Sequence, residues 1–254
     1  MSKIAFIFPG QGSQAVGMGK DIYEKYPMAK ELYDIADDIM GFHISKICFD
    51  GPADVLKETH ITQPALYIHS YILTKLIGDK IKGDVTAGHS LGEYTANAYA
   101  GSFSFEDGLR LVKKRGELMR DSGIQQPGTM AAIIGVDENK VKDICEKAGE
   151  GKIVQPANYN CPGQIVISGD IEAVQRAMKI AKEEYGARMV KQLEVSGAFH
   201  SNLMHSSAEE LRLAINSTNF ENAKIPVYAN VEAEPFENKD KIKNALYRQL
   251  MATV

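Results

Sequence analysis

Cysteine is scarce in this chain of 254 residues, and the three present, Cys48, Cys145 and Cys161, form no Cys-x-x-Cys pair. So sparse and odd a set describes neither a disulfide scaffold nor a structural zinc site. Long apolar runs are missing as well. Met1-Ser2-Lys3 is followed by only five apolar residues, Ile4 to Phe8, before Pro9-Gly10, too short for a secretory apolar region or a membrane span. The expected location is therefore the cytoplasm, with no membrane partner. Lys and Arg form no long run: 29 basic against 33 acidic residues leave a net charge of -4 and a pI near 5.9, which argues against nucleic acid as a partner. Internal repeats and low-complexity tracts are absent too.

What is present is ordinary for a globular protein. Hydrophobic residues make up 44% and charged residues 24% of the chain, and the length corresponds to one or two domains. Lys3 to Phe8 reads as a fully buried strand of a parallel sheet. Helical spacing follows over Tyr23 to Met40 and Gln63 to Leu76, with Gly41 and Gly78 placed as C-terminal stops. A second strand, Val85 to Ala87, leads into Gly88-His89-Ser90-Leu91-Gly92 and then a helix rich in small residues, Glu93 to Ala100. From Gly128 the order becomes strand (130–136), helix (138–148), strands (153–158 and 164–168), helix (171–185) and strand (188–195), the β-α-β-β-α-β order of a ferredoxin-like lobe. Helix (202–215), strand (226–230) and helix (239–250) close the chain. The reading is a discontinuous α/β domain, residues 1–127 and 197–254, with an inserted α+β lobe at 128–196.

The sharpest chemical signal is Gly88-x-Ser90-x-Gly92 between a strand and a helix, the context of a nucleophile elbow. The two glycines allow a sharp turn that lifts the Ser90 hydroxyl clear, and the helix behind it aims its N-terminal amides at an oxyanion. The plainer alternative is a glycine-rich turn with a capping serine. A serine nucleophile needs a base. Of six histidines, His43, His60 and His69 lie in or beside early helices, His89 adjoins Ser90 in a turn, and His205 is inside a helix. His200 lies where a strand ends and a helix begins, the place where α/β folds put reacting groups. It is the candidate base, with a simple helix-start histidine as the alternative. On a helical wheel set at Leu111, Arg115 falls inside the apolar arc with Leu118, Met119 and Val112, opposite Lys113, Glu117 and Arg120. An inward guanidinium requires an anionic partner, either in a structural ion pair or as the anchor of an acidic substrate. Gly10-Gln11-Gly12-Ser13-Gln14-Ala15 follows a strand, but no ribose-binding acid follows at the dinucleotide spacing and Gly19-Lys20 lacks the rest of a phosphate loop. It remains a glycine-rich loop whose amides can complete an oxyanion site.

In this order the motifs closely resemble the malonyl-CoA:acyl carrier protein transacylase family of fatty acid synthesis, related to polyketide acyltransferase domains. The resemblance runs through Phe8-Pro9-Gly10-Gln11-Gly12-Ser13-Gln14, Thr62-Gln63-Pro64-Ala65, Gly88 to Glu93, Arg115-Gly116, Met130-Ala131-Ala132-Ile133, Asn158-Tyr159-Asn160 with Pro162-Gly163-Gln164, Phe199-His200 and Arg248-Gln249-Leu250. It implies a parallel-sheet α/β-hydrolase-like domain with the inserted ferredoxin-like lobe. It also implies Ser90 as the acylated nucleophile, His200 as its base, a backbone carbonyl at Gln249 orienting that base, and the amides of Gln11 and Leu91 as the oxyanion hole. Arg115 would hold the malonyl carboxylate, with Phe199, Met119 and Asn160 as further substrate-binding residues. Phe199 implies malonyl over methylmalonyl. The implied partners are malonyl-CoA and acyl carrier protein, for a monomer that uses no cofactor or metal.

Members of that family continue past the segment matching Gln249 with a further strand, a Gly-Pro-Gly turn and a closing helix, whereas this sequence stops at Val254. The expectation is that residues 1–254 alone are destabilised and expose apolar surface. Two rival readings follow. One is a serine esterase or thioesterase, or a patatin-like lipase with Asp170 as second carboxylate. The other is a catalytically impaired module that only docks the acidic carrier, through Lys179, Lys182, Arg188 and Lys191, a set that also reads as a plain solvated face.

Overall fold

The computed structural model describes residues 3–195 and 197–254. In chain order its elements are β1 (Ala5–Phe8), α1 (Lys20–Lys25), α2 (Pro27–Met40), α3 (Ile44–Asp50), α4 (Ala53–Lys57), α5 (Thr59–Ile77), β2 (Val85–Gly88), α6 (Gly92–Ala100), α7 (Phe105–Gln125) and β3 (Gly128–Ile134). There follow α8 (Glu138–Gly149), β4 (Val154–Cys161), β5 (Gln164–Asp170), α9 (Ile171–Glu183), β6 (Met189–Gln192), α10 (His205–Ser217), β7 (Val227–Tyr228), β8 (Pro235–Phe236) and α11 (Lys239–Gln249). The chain divides into two compact units, Met1–Glu117 with Leu213–Leu246, and Leu118–Arg212 with Tyr247–Val254. No helix among the described residues is long and apolar enough to cross a membrane.

The first unit is built on a sheet of order β1-β2-β7-β8, in which β1, β2 and β7 run parallel and β8 returns antiparallel. The helix expected over 23–40 is two helices. Pro27 lacks an amide and pushes the residue before it out of the helical region, so Tyr26 is extended (φ -120°, ψ 114°) and α2 restarts with proline in its first turn. Its buried stripe, Ala29, Tyr33, Ala36 and Met40, then keeps helical spacing up to Gly41, which is left-handed. The strand at 5–8 forms, but as an edge strand and not a fully buried one. It pairs with β2 alone, and Ile7 is 76% exposed.

The small residues of α6 serve close packing: every residue from Gly92 to Ala98 is buried, and the helix packs against β1, β2 and α5. The glycines that flank Ser90 are needed for the same reason. A Cβ on Gly88 would collide with the Gly92 carbonyl, and one on Gly92 with the Phe8 carbonyl. The left-handed residue of this turn is Ser90 itself, with φ 52°. The glycines thus work through the missing side chain rather than through an unusual φ.

The second unit holds an antiparallel sheet of order β4-β5-β3-β6, and α8 and α9 pack on it in β-α-β-β-α-β succession. Alternation along the strands turns Ala131, Ile133, Ile165 and Ile167 into one core with Val141 and Ile144 of α8 and Val174 and Ala177 of α9. The expected lobe, 128–196, supplies this sheet and both helices; its last residue, Ser196, lies outside the described residues. The compact unit is wider than that lobe, because hydrogen bonds tie flanking segments to it. Val254 donates to the Ala157 carbonyl and accepts from the Tyr159 amide, and Ser207 donates to the Leu118 carbonyl.

Gly88→Ala and Gly92→Ala each lower the thermal midpoint, by the equivalent of roughly 1–3 kcal/mol or more, measured by calorimetry against the unsubstituted chain. Cys48 and Cys145 are buried, and burial pushes both thiols up to about 12, whereas Cys161 is exposed. A thiol reagent at pH 7 therefore modifies Cys161 rapidly in the native protein, and the other two react only after denaturation.

Candidate active site

Ser90 occupies the turn between the end of β2 and the start of α6. A left-handed φ on a serine is uncommon and is paid for by its surroundings. Here the surroundings are a tight set of bonds: Gly92 N–H to His89 O (3.0 Å), Glu93 N–H to Ser90 O (3.1 Å) and Ser90 N–H to Asn230 Oδ1 (2.8 Å). Leu91 precedes the first residue of α6 and is buried. Its amide belongs to the helix-start donors that have no intrahelical acceptor. Gln11 lies in the turn after β1 and ties its side-chain Nε2 to Thr59 Oγ1 at 3.2 Å. Because Phe8 and Gly88 are paired across the parallel β1 and β2, the Gln11 turn and the Ser90 turn leave the same end of the sheet.

Arg115 is fully buried, on the apolar side of α7 where the wheel puts it. Its Nη1 donates to Gln63 Oε1 at 2.7 Å and its Nη2 to Ser90 Oγ at 3.0 Å. Its guanidinium carbon stands 5.4 Å from the centre of the Tyr94 ring, within cation–π range. Burial pulls the Arg115 pKa down, while Tyr94 and Glu93 act to raise it. A guanidinium keeps its proton at neutral pH regardless, so a permanent cation touches the Ser90 hydroxyl.

In the second unit, His200 is buried and also left-handed (φ 57°). Its Nδ1 meets the Gln249 carbonyl at 2.8 Å. A ring nitrogen facing a carbonyl oxygen must carry the proton, which leaves Nε2 as the basic nitrogen of the neutral ring. Gln249 is itself fully buried. Gln155 Nε2 lies 3.5 Å from the carbonyls of His200 and Met251, and its Oε1 accepts from the Asn202 amide at 3.2 Å, so one side chain braces the turn around His200. Ser90 and His200 are two of the four described non-glycine residues with positive φ.

The other expected residues fall as follows. Phe199 is buried, its ring lying under Gly197; Met119 is buried on α7; Asn160 is exposed on β4. Of the competing histidines, His43 is exposed beside Asp37, His60 is near Glu58, and His205 is exposed at the start of α10. His69 is half-buried, with its pKa lowered by burial. Asp170, the alternative acid, accepts from the Ile153 amide at 2.7 Å. Lys179, Lys182, Arg188 and Lys191 are all exposed. Gln63, Asn230 and Gln155 escape the sequence reading as site residues: Gln63 stands in the Thr62-Gln63-Pro64-Ala65 segment with no role assigned to it, and Asn230 and Gln155 lie in no motif that points to chemistry.

The chain matches the model of the acyl transferase domain over residues 5–254. It is 47% identical over 256 residues to a malonyl CoA-acyl carrier protein transacylase of Bacillus subtilis, covering all of this chain and 80% of that protein. It is 42% identical over 255 residues to one from Staphylococcus aureus, covering all of this chain and 82% of the relative. Among solved structures, an acyl carrier protein S-malonyltransferase of Vibrio cholerae superposes with a TM-score of 0.95 at 40% identity, covering all of this chain and 83% of that one. A malonyl-transacylase solved in complex with its type II PKS acyl-carrier protein gives 0.94 at 36% identity, covering all of this chain and 82% of that one. With a match spanning nearly every residue, the chain belongs to the acyl transferase domain family.

Proposed function

We propose that this protein transfers a malonyl group from malonyl-CoA to the phosphopantetheine thiol of acyl carrier protein through a malonyl-serine intermediate. The observation that carries this reading is the 3.0 Å hydrogen bond from the buried Arg115 guanidinium to Ser90 Oγ. In a malonyl thioester the carboxylate carbon is one methylene, roughly 2.5 Å, from the reacting carbonyl carbon. A nucleophile that attacks that carbonyl must therefore have its carboxylate-binding cation at its elbow. The reactions named for the relatives, malonyl transfer involving acyl carrier protein, agree with this.

In the first half-reaction His200 Nε2 accepts the Ser90 proton while Oγ attacks the thioester carbonyl. The negative charge passes to the carbonyl oxygen, toward the amides of Gln11 and Leu91. Collapse breaks the carbon–sulfur bond, and the CoA sulfur leaves with the proton from the imidazolium, giving the malonyl ester of Ser90. In the second half the carrier thiol gives its proton to His200, attacks the ester and regenerates the serine. Both halves move an acyl group between oxygen and sulfur without a change of oxidation state, so the electron balance calls for no redox cofactor. The Gln249 carbonyl stands where a triad would have a carboxylate, and it fixes the His200 tautomer that the proton transfers need. Arg115 holds the acyl group in one pose, so that a thiol arriving on the carrier competes with water. Phe199 beside His200 restricts room at the α-carbon and favours malonyl over methylmalonyl. The setting is a cytoplasmic monomer in fatty acid synthesis.

A patatin-like hydrolase is disfavoured by Asp170, whose carboxylate is engaged by the Ile153 amide at the base of α9. The test is intact-mass analysis after exposure to malonyl-CoA, with peptide mapping of the adduct. One malonyl group is expected on Ser90, none on Ser90→Ala, and rapid release of free malonate instead of a persistent adduct would favour hydrolysis. Arg115→Ala is expected to slow malonyl loading by about 10- to 100-fold, the worth of a lost charge-assisted hydrogen bond, and acetyl loading far less. Equal losses for the two acyl groups would remove the anchor role.

A further inference from the structure

We propose that Asn230 is the positioning residue of the nucleophile, its side-chain carboxamide serving as a last rung of the parallel ladder that β7 no longer supplies. This rests on the reading of Ser90 as the nucleophile.

The β2–β7 register pairs Thr86 with Val227 and Ala87 with Tyr228. Continued, it would pair His89 with Asn230. In a parallel ladder, alternate residues of one strand each make two bonds across to the other: the amide donates to the carbonyl before its partner, and the carbonyl accepts from the amide after it. The Thr86 amide donates to the Pro226 carbonyl at 2.9 Å, so the bonding residues on this side are 226, 228 and, next, 230. Asn230 main chain does not take up that position, because its amide turns to Glu93 Oε2 at 3.1 Å. The carboxamide makes both bonds instead. Nδ2 donates to the Gly88 carbonyl at 2.7 Å, and Oδ1 accepts from the Ser90 amide at 2.8 Å. These are the two contacts residue 230 would have made as a strand residue, flanking His89.

The substitution has a mechanical consequence. A true strand at this position would hold residues 88 to 90 extended and keep Ser90 in line with the sheet. A carboxamide satisfies the same polar groups on a flexible stalk, so the chain can turn while its last carbonyl and first turned amide stay bonded. Ser90 is then free to adopt φ 52° and raise its hydroxyl toward Arg115 Nη2. Glu93, buried in the first turn of α6, holds the Asn230 amide and so locks the clamp to the helix that follows the nucleophile. Only an Asn-sized amide has both a donor and an acceptor at this reach. Asp offers two acceptors and would set a carboxylate against the Gly88 carbonyl.

The experiment uses two probes on the full chain: a fluorophosphonate, which reports the reactivity of Ser90 without any malonyl recognition, and malonyl-CoA in single turnover. Asn230→Ala and Asn230→Asp are each expected to slow fluorophosphonate labelling and the maximal rate of malonyl loading by about 10- to 100-fold, with the malonyl-CoA concentration for half-maximal rate changed by less than about threefold. Circular dichroism and thermal midpoints establish that the variants are folded. Labelling of either folded variant at the parent rate overturns the proposal. If the parent is labelled on Ser90 by the fluorophosphonate but not by malonyl-CoA, the transferase reading fails while the clamp is still judged by the labelling rates. If neither variant folds, the parent alone decides through amide hydrogen exchange by NMR: the Ser90 amide is expected to exchange as slowly as those of β2, and exchange at the rate of an open loop overturns the clamp.

Discussion

The proposed chemistry depends on a permanent cation held against the Ser90 hydroxyl inside the protein. Burying a guanidinium costs several kcal/mol unless its donors are met, and the first unit meets that cost with Gln63, the Ser90 hydroxyl and the face of Tyr94. All three of these partners are neutral, and a guanidinium binds an anionic oxygen more strongly than any of them. A substrate carboxylate entering here gains a charge-assisted, bidentate pairing in a place where water competes poorly. On the proposed function, the same contact that orders Ser90 in the free protein defines which acyl group suits it.

Within each unit the structure uses close approach and backbone strain in place of additional side chains. Gly88 and Gly92 bring β1, β2 and α6 so near one another that a methyl group would not fit. Ser90 and His200 both sit in the left-handed region, and each is held there by neighbouring amides: Asn230 for the serine, Gln155 for the turn of the histidine. The His200 ring is oriented by a backbone carbonyl and not by a buried carboxylate. The Gln249 carbonyl that fixes it is a neutral acceptor.

Much of this was legible in the sequence because it depends on periodicity or on motifs. The α7 stripe marked Arg115 as inward, the glycine spacing marked Ser90, and the succession of strands and helices marked the antiparallel lobe. The break at Tyr26–Pro27 was also written locally, in the restriction proline places on its predecessor, and it divides one expected helix into α1 and α2. Other features were not local. The exposure of Ile7 follows from strand order, which no single segment encodes. The roles of Gln63 and Asn230 arise from contacts 52 and 140 residues away along the chain. The purpose of the two glycines was read as turn geometry, and it became visible as packing only once the Phe8 carbonyl was seen beside Gly92.

On the proposed function, the cation at Ser90 Oγ selects a diacid with one carbon between carboxylate and thioester. Single-turnover acylation of Ser90 by malonyl-CoA, succinyl-CoA and acetyl-CoA at equal concentration tests it most directly, with the adducts resolved by intact mass. Malonyl should load fastest by at least about tenfold, since the longer diacid cannot meet Arg115 and the reacting carbonyl together and the acetyl group has no carboxylate. Acetyl loading at the malonyl rate would contradict the account.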